Sequence, residues 1–239
     1  MNLDNGLTIV IPAKNEALLI PRLLEALSQQ DYPQIGNRRV LVADAGSTDG
    51  TAEVVNSFRD RLQVEVIPGG IPSEGRNAGA ARATTKYVLF IDADVQPADK
   101  SLIRRALETA QQKNLQCVTT NIICCNGSWL DKAFYIGNNF FQYLSCLHKP
   151  FSTGMFMLFE KSRFDALGGF NPKILFAEDY YLSKQVKRGR FAIVPGGVFT
   201  TNRRFQKMGH ARVARLFFWT AFNFWNPRFF LRDHKYWAQ

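Results

Sequence analysis

Five consecutive apolar residues, Tyr87-Val88-Leu89-Phe90-Ile91, run straight into Asp92-Ala93-Asp94. A short unbroken apolar run marks a strand buried on both faces, the kind that parallel sheets of α/β proteins require. The two carboxylates then fall at the strand's C-terminal end, the edge where open α/β sheets bind ligands. Residues i and i+2 of an extended segment point to the same side, so both acids address one ligand. Unpaired, they repel each other and resist desolvation, and a divalent cation relieves both problems. A polar turn capping a strand accounts equally well for a D-x-D motif standing alone. The segments that accompany it weigh against that reading.

The first half of the chain alternates strand and helix. Leu7 to Pro12 reads as a strand, followed by helical spacing from Glu16 to Gln30 through Leu19, Leu23, Leu24 and Leu27. Arg39 to Asp44 is a second strand, then a helix from Asp49 to Arg61 and a short strand from Gln63 to Ile67. A small-residue helix from Ser73 to Thr85 leads into the Lys86–Ile91 strand, and another helix follows from Ala98 to Lys113. This order predicts a doubly wound parallel sheet. The second half is less regular: strands at Gln116–Cys124, Thr153–Phe159 and Phe191–Pro195, with helices at Asp131–Leu147 and Glu178–Arg188.

Three polar, turn-rich segments follow strands or open helices. They are Pro12-Ala13-Lys14-Asn15-Glu16, Asp44-Ala45-Gly46-Ser47-Thr48-Asp49-Gly50-Thr51 and Gly75-Arg76-Asn77-Ala78-Gly79. Each alone is ordinary turn or cap chemistry. On a parallel sheet they converge with Asp92 and Asp94 on one edge, as a nucleotide pocket requires. A surface arginine explains Arg76 in bland terms. A cation near a helix N-terminus opposes the helix dipole, however, so a bound anion explains it better.

In this order the motifs resemble those of family 2 glycosyltransferases, enzymes of the GT-A fold that use nucleotide-diphosphate sugars. The resemblance continues through Gly168-Gly169-Phe170 and Glu178-Asp179 and covers about residues 7–205. It implies a Rossmann-like, doubly wound mixed α/β sheet. Residues 1–115 would form the nucleotide-sugar-binding half, 116–205 the acceptor half and 206–239 an aromatic, basic C-terminal extension. By the same resemblance Pro12, Ala13, Asn15, Glu16 and Asp44 hold the nucleoside, and Arg76 approaches the base or the phosphates. Asp94, with Asp92 nearer the ribose, binds Mn²⁺ or Mg²⁺ on the diphosphate. Asp179 is the catalytic base and Glu178 orients it or the acceptor, although a pair of acids opening a helix is also a plain cap. Glycine at 154 and 169 lets the backbone approach the sugar or acceptor. Many GT-A enzymes add a late histidine ligand. Here His210 is the candidate, against an ordinary surface histidine.

Composition narrows the setting. Thirty basic against twenty acidic residues give a net charge of +10, which implies an anionic partner. The excess is concentrated after Lys184, where Asp233 is the single acid. Four cysteines fit neither a zinc pattern nor a disulfide framework, so a reducing cytoplasm is expected. No leader and no apolar run of roughly 18 residues is visible. The tail from Gly209 interleaves Phe217, Phe218, Trp219, Phe222, Phe224, Trp225, Phe229, Phe230 and Trp237 with Arg212, Arg215, Arg228, Arg232 and Lys235. This composition fits an interfacial segment at the inner face of an anionic plasma membrane; packing on the domain or in a homo-oligomer is the alternative. The aromatic helix at Phe134–Tyr143 either lines a lipid acceptor groove or is plain core. Nucleic acid is not expected. The function implied is inverting transfer from a nucleotide-diphospho-sugar, UDP-linked by preference, to a lipid or glycan hydroxyl. A nucleotidyltransferase would want a Gly-rich basic phosphate loop after the first strand, and a dehydrogenase G-x-G-x-x-G; neither is present. A non-catalytic binding module on a decayed enzyme fold is the remaining alternative.

Overall fold

A computed structural model of the chain describes residues 6–223 and 225–232. Its sheet strands are β1 (Leu7–Ala13), β2 (Arg39–Asp44), β3 (Gln63–Pro68), β4 (Tyr87–Ile91), β5 (Gln96–Pro97), β6 (Cys117–Cys124), β7 (Phe156–Glu160) and β8 (Phe191–Thr200). They form an eight-stranded sheet in the order β3-β2-β1-β4-β7-β6-β8-β5. Strands β1 to β4 are mutually parallel, so the ends of β1, β2 and β4 open on one edge. Strand β7 enters antiparallel between β4 and β6, and β8 returns parallel to β6. The sheet is therefore mixed.

Strand alternation sends successive side chains to opposite faces. Ile9, Ile11, Leu89 and Ile91 join one core cluster, while Val10, Val88 and Phe90 join another across the sheet. Helix α1 (Ile20–Ser28) buries Ile20, Leu23, Leu24 and Leu27, a single apolar stripe. It starts at Ile20 rather than Glu16. Pro21 sits in its first turn, the place a helix tolerates a residue without an N–H. The freed residues 16 and 17 serve the site instead. Between β2 and β3 lies α2 (Thr51–Asn56). Helix α4 (Leu102–Gln112) buries Leu102, Ile103, Ala106, Leu107 and Ala110 by the same periodicity as α1.

Helix α3 (Pro72–Arg82) explains its own run of small residues. A Cβ on Gly79 would stand 2.3 Å from Val10 Cγ1, so only glycine lets α3 lie this close to β1. That approach brings Arg76 to the open edge of the sheet.

The second half adds α5 (Trp129–Ser145), α6 (Lys161–Ala166), α7 (Glu178–Ser183), α8 (Arg203–Met208), α9 (His210–Phe222) and α10 (Pro227–Phe230). Helix α9 buries Val213 and Leu216, and α10 buries Phe229 and Phe230, with the Phe230 ring stacked on Tyr180 at 5.8 Å. The tail thus packs back on the domain through one of its faces. Phe224, Lys235 and Trp237 lie outside the described residues. Among the described residues no helix is long and apolar enough to cross a membrane.

Candidate active site

The loops after β1 and β2 are knitted together by side chains. Asn15 takes a left-handed φ of 55°; its N–H donates to Ser47 Oγ at 2.8 Å and its Oδ1 accepts from the Thr48 N–H at 2.9 Å. The Glu16 N–H donates to Thr51 Oγ1 at 2.9 Å and the Ala17 N–H to Asp49 Oδ2 at 3.0 Å. Asp44 accepts from the Ser47 N–H at 3.0 Å and from the Ser47 hydroxyl. A carboxylate has about four lone-pair sites, so Asp44 keeps acceptor capacity for a ligand. Pro12 and Ala13 close β1 directly beside it, Ala13 in register with Asp44. The nucleoside-side residues expected from sequence are therefore brought together.

Arg76 is 3% exposed and ties two halves of the site together. Its Nη2 donates to Asp92 Oδ1 at 2.6 Å and its Nη1 to Glu178 Oε1 at 2.7 Å. Its guanidinium also lies over the Phe170 ring at 5.2 Å. The anion that explains its place near a helix start is thus supplied by the protein. Burial alone would lower its pKa; the charges of Asp92, Glu178 and Asp179 outweigh that and raise it. Gly154 makes room for this pairing: a Cβ there would stand 2.3 Å from Arg76 Nη2. The Gly154 N–H donates to Asp179 Oδ2 at 2.5 Å, and the Tyr180 N–H to Asp179 Oδ1 at 2.7 Å. Gly169 likewise approaches a protein group, Asn77, whose Nδ2 and Oδ1 bond the Phe170 C=O at 2.7 Å and N–H at 3.0 Å. The close approaches expected toward sugar or acceptor are made to Arg76 and Asn77.

Asp94 meets an unanticipated partner. Arg203, which opens α8, donates from Nη2 to Asp94 Oδ2 at 3.1 Å and to Glu16 Oε1 at 2.7 Å, and from Nη1 to Glu16 Oε2 at 3.0 Å. The sequence shows Arg203-Arg204 as the start of a basic tail; their return to the D-x-D turn has no local signal. The cleft beside Asp94 encloses about 200 Å³ and is lined also by Arg22, Gln96, Cys125 and Thr201. His210 pairs with Asp131: its Nε2 lies 2.6 Å from Asp131 Oδ1 and its ring stacks on Phe205.

The site carries more negative than positive charge. Glu16, Asp92, Asp94, Glu178 and Asp179 are countered by Arg76 and Arg203, with Arg204 adding charge near Asp94. Burial and then the neighbouring Asp92 push the Asp94 carboxyl up, against the pull of Arg203. Burial raises Glu16 too, opposed by Arg203. Among the described residues no three His, Cys, Asp or Glu side chains cluster to hold a metal unaided. Hard carboxylate oxygens with unmet charge do suit Mg²⁺ or Mn²⁺ in the mode that takes one or two carboxylates plus substrate phosphates. Burial also raises Asp179, opposed by Arg76, and raises Glu178, to which Asp179 adds.

A mixed sheet whose β1, β2 and β4 ends present these carboxylates is the scaffold of GT-A nucleotide-sugar enzymes. The family model for glycosyl transferase family 2 matches residues 8–168, and the chain belongs to that family. A Staphylococcus aureus poly(ribitol-phosphate) beta-N-acetylglucosaminyltransferase, TarS, is 35% identical over 92 residues, covering 36% of this chain and 16% of its own length. Its crystal structure with UDP superposes with a TM-score of 0.64 at 19% identity, covering 82% of this chain and 60% of that one. A Staphylococcus aureus 4,4'-diaponeurosporenoate glycosyltransferase is 28% identical, over 80% of this chain and 49% of its own. A Pyrobaculum calidifontis mannosyltransferase in complex with GDP-Man and Mn²⁺ superposes with a TM-score of 0.66 at 22% identity, over 86% of this chain and 61% of that one. At these identities the structural likenesses establish the fold. The chain spans less than two thirds of the length of each of these relatives.

Proposed function

We propose that the chain is an inverting, metal-dependent glycosyltransferase. It takes a sugar from a nucleotide-diphospho-sugar, UDP-linked by preference, and gives it to a hydroxyl of a lipid, lipid-linked glycan or cell-surface polysaccharide precursor. It works as a peripheral protein at the cytoplasmic face of the membrane. The observation that carries this reading is the Arg76 bridge, which fixes Asp92 of the donor edge to the Glu178-Asp179 pair. UDP and GDP-Man in the related structures, and the acceptor in the TarS name, support the donor and acceptor classes.

The protein's own groups divide the work as follows. Asn15, Glu16 and Asp44, with Pro12 and Ala13, frame the nucleoside. Asp94, with Asp92, is the place for Mn²⁺ or Mg²⁺, which when bound neutralises charge on the departing diphosphate. Arg203, braced by Glu16, sits where that diphosphate arrives and offers it a charged hydrogen bond. Asp179 takes the proton from the acceptor hydroxyl as its oxygen attacks the anomeric carbon opposite the diphosphate. One C–O bond forms, the bond to the diphosphate breaks, and the configuration inverts. The raised carboxyl of Asp179 makes it a better base than an ordinary aspartate. Two backbone N–H groups hold it in place, and Glu178, locked on Arg76, sets the position of the pair.

Calorimetry with UDP, GDP, dTDP and CMP, each with Mn²⁺ and with EDTA, tests this reading. It predicts one tightly held diphosphate whose binding is lost in EDTA. Failure of every nucleotide to bind would favour the non-catalytic module.

A further inference from the structure

We propose that the outer faces of α5 and α9 form one surface that docks on an anionic lipid bilayer and so sets the donor site at the membrane interface. This rests on the peripheral reading above and adds to it the surface and the orientation.

Helix α5 is amphipathic in the wrong sense for a soluble domain. A surface helix ordinarily turns its apolar stripe inward. Here Asp131, Tyr135, Asn138 and Gln142 face inward at 1%, 6%, 5% and 0% exposure, while Trp129, Ile136, Phe140 and, in the turn just after the helix, Leu147 face outward at 75%, 68%, 63% and 65%. Those four, with the exposed Tyr143 and Leu144, fall on one stripe at helical spacing. The helix has no freedom to turn this stripe inward. Asn139 donates to the Ile122 C=O at 2.9 Å and accepts from its N–H at 3.0 Å. Gln142 Nε2 donates to the Thr120 C=O at 3.2 Å, and Asp131 accepts from Ser128. Rotating α5 would break these bonds and leave buried polar groups of β6 unpaired.

Helix α9 extends the same surface. Phe134 of α5 meets Phe217 of α9 at 4.7 Å, and Phe218, Trp219 and Phe222 of α9 are exposed, with Trp225 just beyond the helix. Each helix thus exposes several large apolar side chains, and exposed apolar faces of this kind mark interaction sites. Exposed basic residues accompany both helices: Lys132 and Lys149 on or next to α5, Lys207, Arg212 and Arg215 on α8 and α9. Residues 191–232 contain no Asp or Glu at all. Aromatic rings at headgroup depth with Lys and Arg around them meet both halves of a bilayer surface, its acyl boundary and its anionic phosphates. A second copy of the chain would oppose two equally basic faces.

The surface is mechanically joined to chemistry. Arg203 of α8 bonds Asp94 and Glu16, and Phe205, on the same helix, packs on Phe134 at 5.1 Å and Tyr135 at 5.7 Å. Docking through α5 and α9 therefore holds the donor pocket close to acceptors in the membrane.

Vesicle co-sedimentation tests the proposal, using phosphatidylcholine vesicles with and without phosphatidylglycerol. The wild-type chain is expected to sediment with the anionic vesicles and to be released by salt. Two triple variants, Ile136→Ser/Phe140→Ser/Leu147→Ser and Phe218→Ser/Trp219→Ser/Phe222→Ser, change exposed side chains only. Each is expected to weaken partitioning by roughly tenfold or more, with melting temperature and UDP affinity unchanged. Wild-type sedimentation of the α5 variant would overturn the surface while leaving peripheral attachment intact. No wild-type binding to any vesicle would overturn both. A wild-type dimer in light scattering that the α5 variant dissociates, without loss of vesicle binding, would assign the face to self-association. UDP binding on the same samples keeps the glycosyltransferase reading separate from these outcomes.

Discussion

Replacing Arg76 with glutamine tests whether a buried guanidinium organises the site. Arg76 is 3% exposed and holds Glu178, whose side chain is 6% exposed, and Asp92, whose side chain is 22% exposed. Removing one partner of a buried ion pair strands the other charge, at a cost of about 3–5 kcal/mol. For a chain of this size each kcal/mol lowers the melting temperature by roughly 2–4 °C, so Arg76→Gln should melt about 6–20 °C below wild type at neutral pH. The pH dependence has a definite sign. Without Arg76 the folded-state pKa values of Glu178 and Asp179 rise further above their unfolded values. The variant then loses stability as pH rises from the ordinary carboxylate range through those raised values, and regains it on acidification. Thermal melts of both proteins across pH 5 to 8 should show a deficit that shrinks toward the acid end. A deficit under about 2 °C at neutral pH, or one that does not change with pH, would show that Arg76 does not balance these buried carboxylates.

Three further outcomes follow from the same geometry. Arg203→Gln should weaken UDP binding by roughly tenfold, the loss of one charged hydrogen bond, and leave uridine affinity unchanged; an equal loss for both ligands would remove Arg203 from the diphosphate. Gly154→Ala puts a methyl group 2.3 Å from Arg76 Nη2, so it should lower both melting temperature and transfer rate, and wild-type behaviour in both would contradict the packing. Because burial raises Asp179, kcat/KM should climb with pH through a carboxyl pKa above the ordinary range of roughly 4, whereas a profile flat down to that pH would mean the base is another group.

Much of the sheet edge that carries the candidate site is legible in the sequence because each part is local. An apolar run followed by acids predicts β4 and its D-x-D turn, and the turn-rich loops after β1 and β2 announce their own positions. Legibility fails where the structure depends on distant pairing. Strand β8 runs to Thr200 rather than Pro195, because a register shift between Thr120 and Asn121 lets it pass Pro195-Gly196 and resume pairing with β6 at Gly197. Strand β5 has two residues, too few for any periodicity. Arg203 reaches Glu16 across 187 positions, and no neighbour of either residue reports it. Helix α5 shows its aromatic spacing plainly, yet the spacing alone does not reveal that Phe140 and Tyr143 face out while Phe134 and Tyr135 pack inward. Only the pairing of Asn139 and Gln142 with β6 decides that. The tail divides in the same way, with Phe229 and Phe230 inside and Phe218 and Trp219 outside.

Whether Asp179 is the base is tested by Asp179→Asn. Asparagine keeps the shape and its single oxygen still accepts one of the N–H bonds that Gly154 and Tyr180 give Asp179, but it cannot take a proton from an acceptor. Transfer of labelled sugar to membrane acceptors and donor affinity should be measured on the same preparation. Transfer should fall by roughly 10²–10⁴-fold with donor affinity within about twofold of wild type. Transfer at the wild-type rate would mean that Asp179 is not the base.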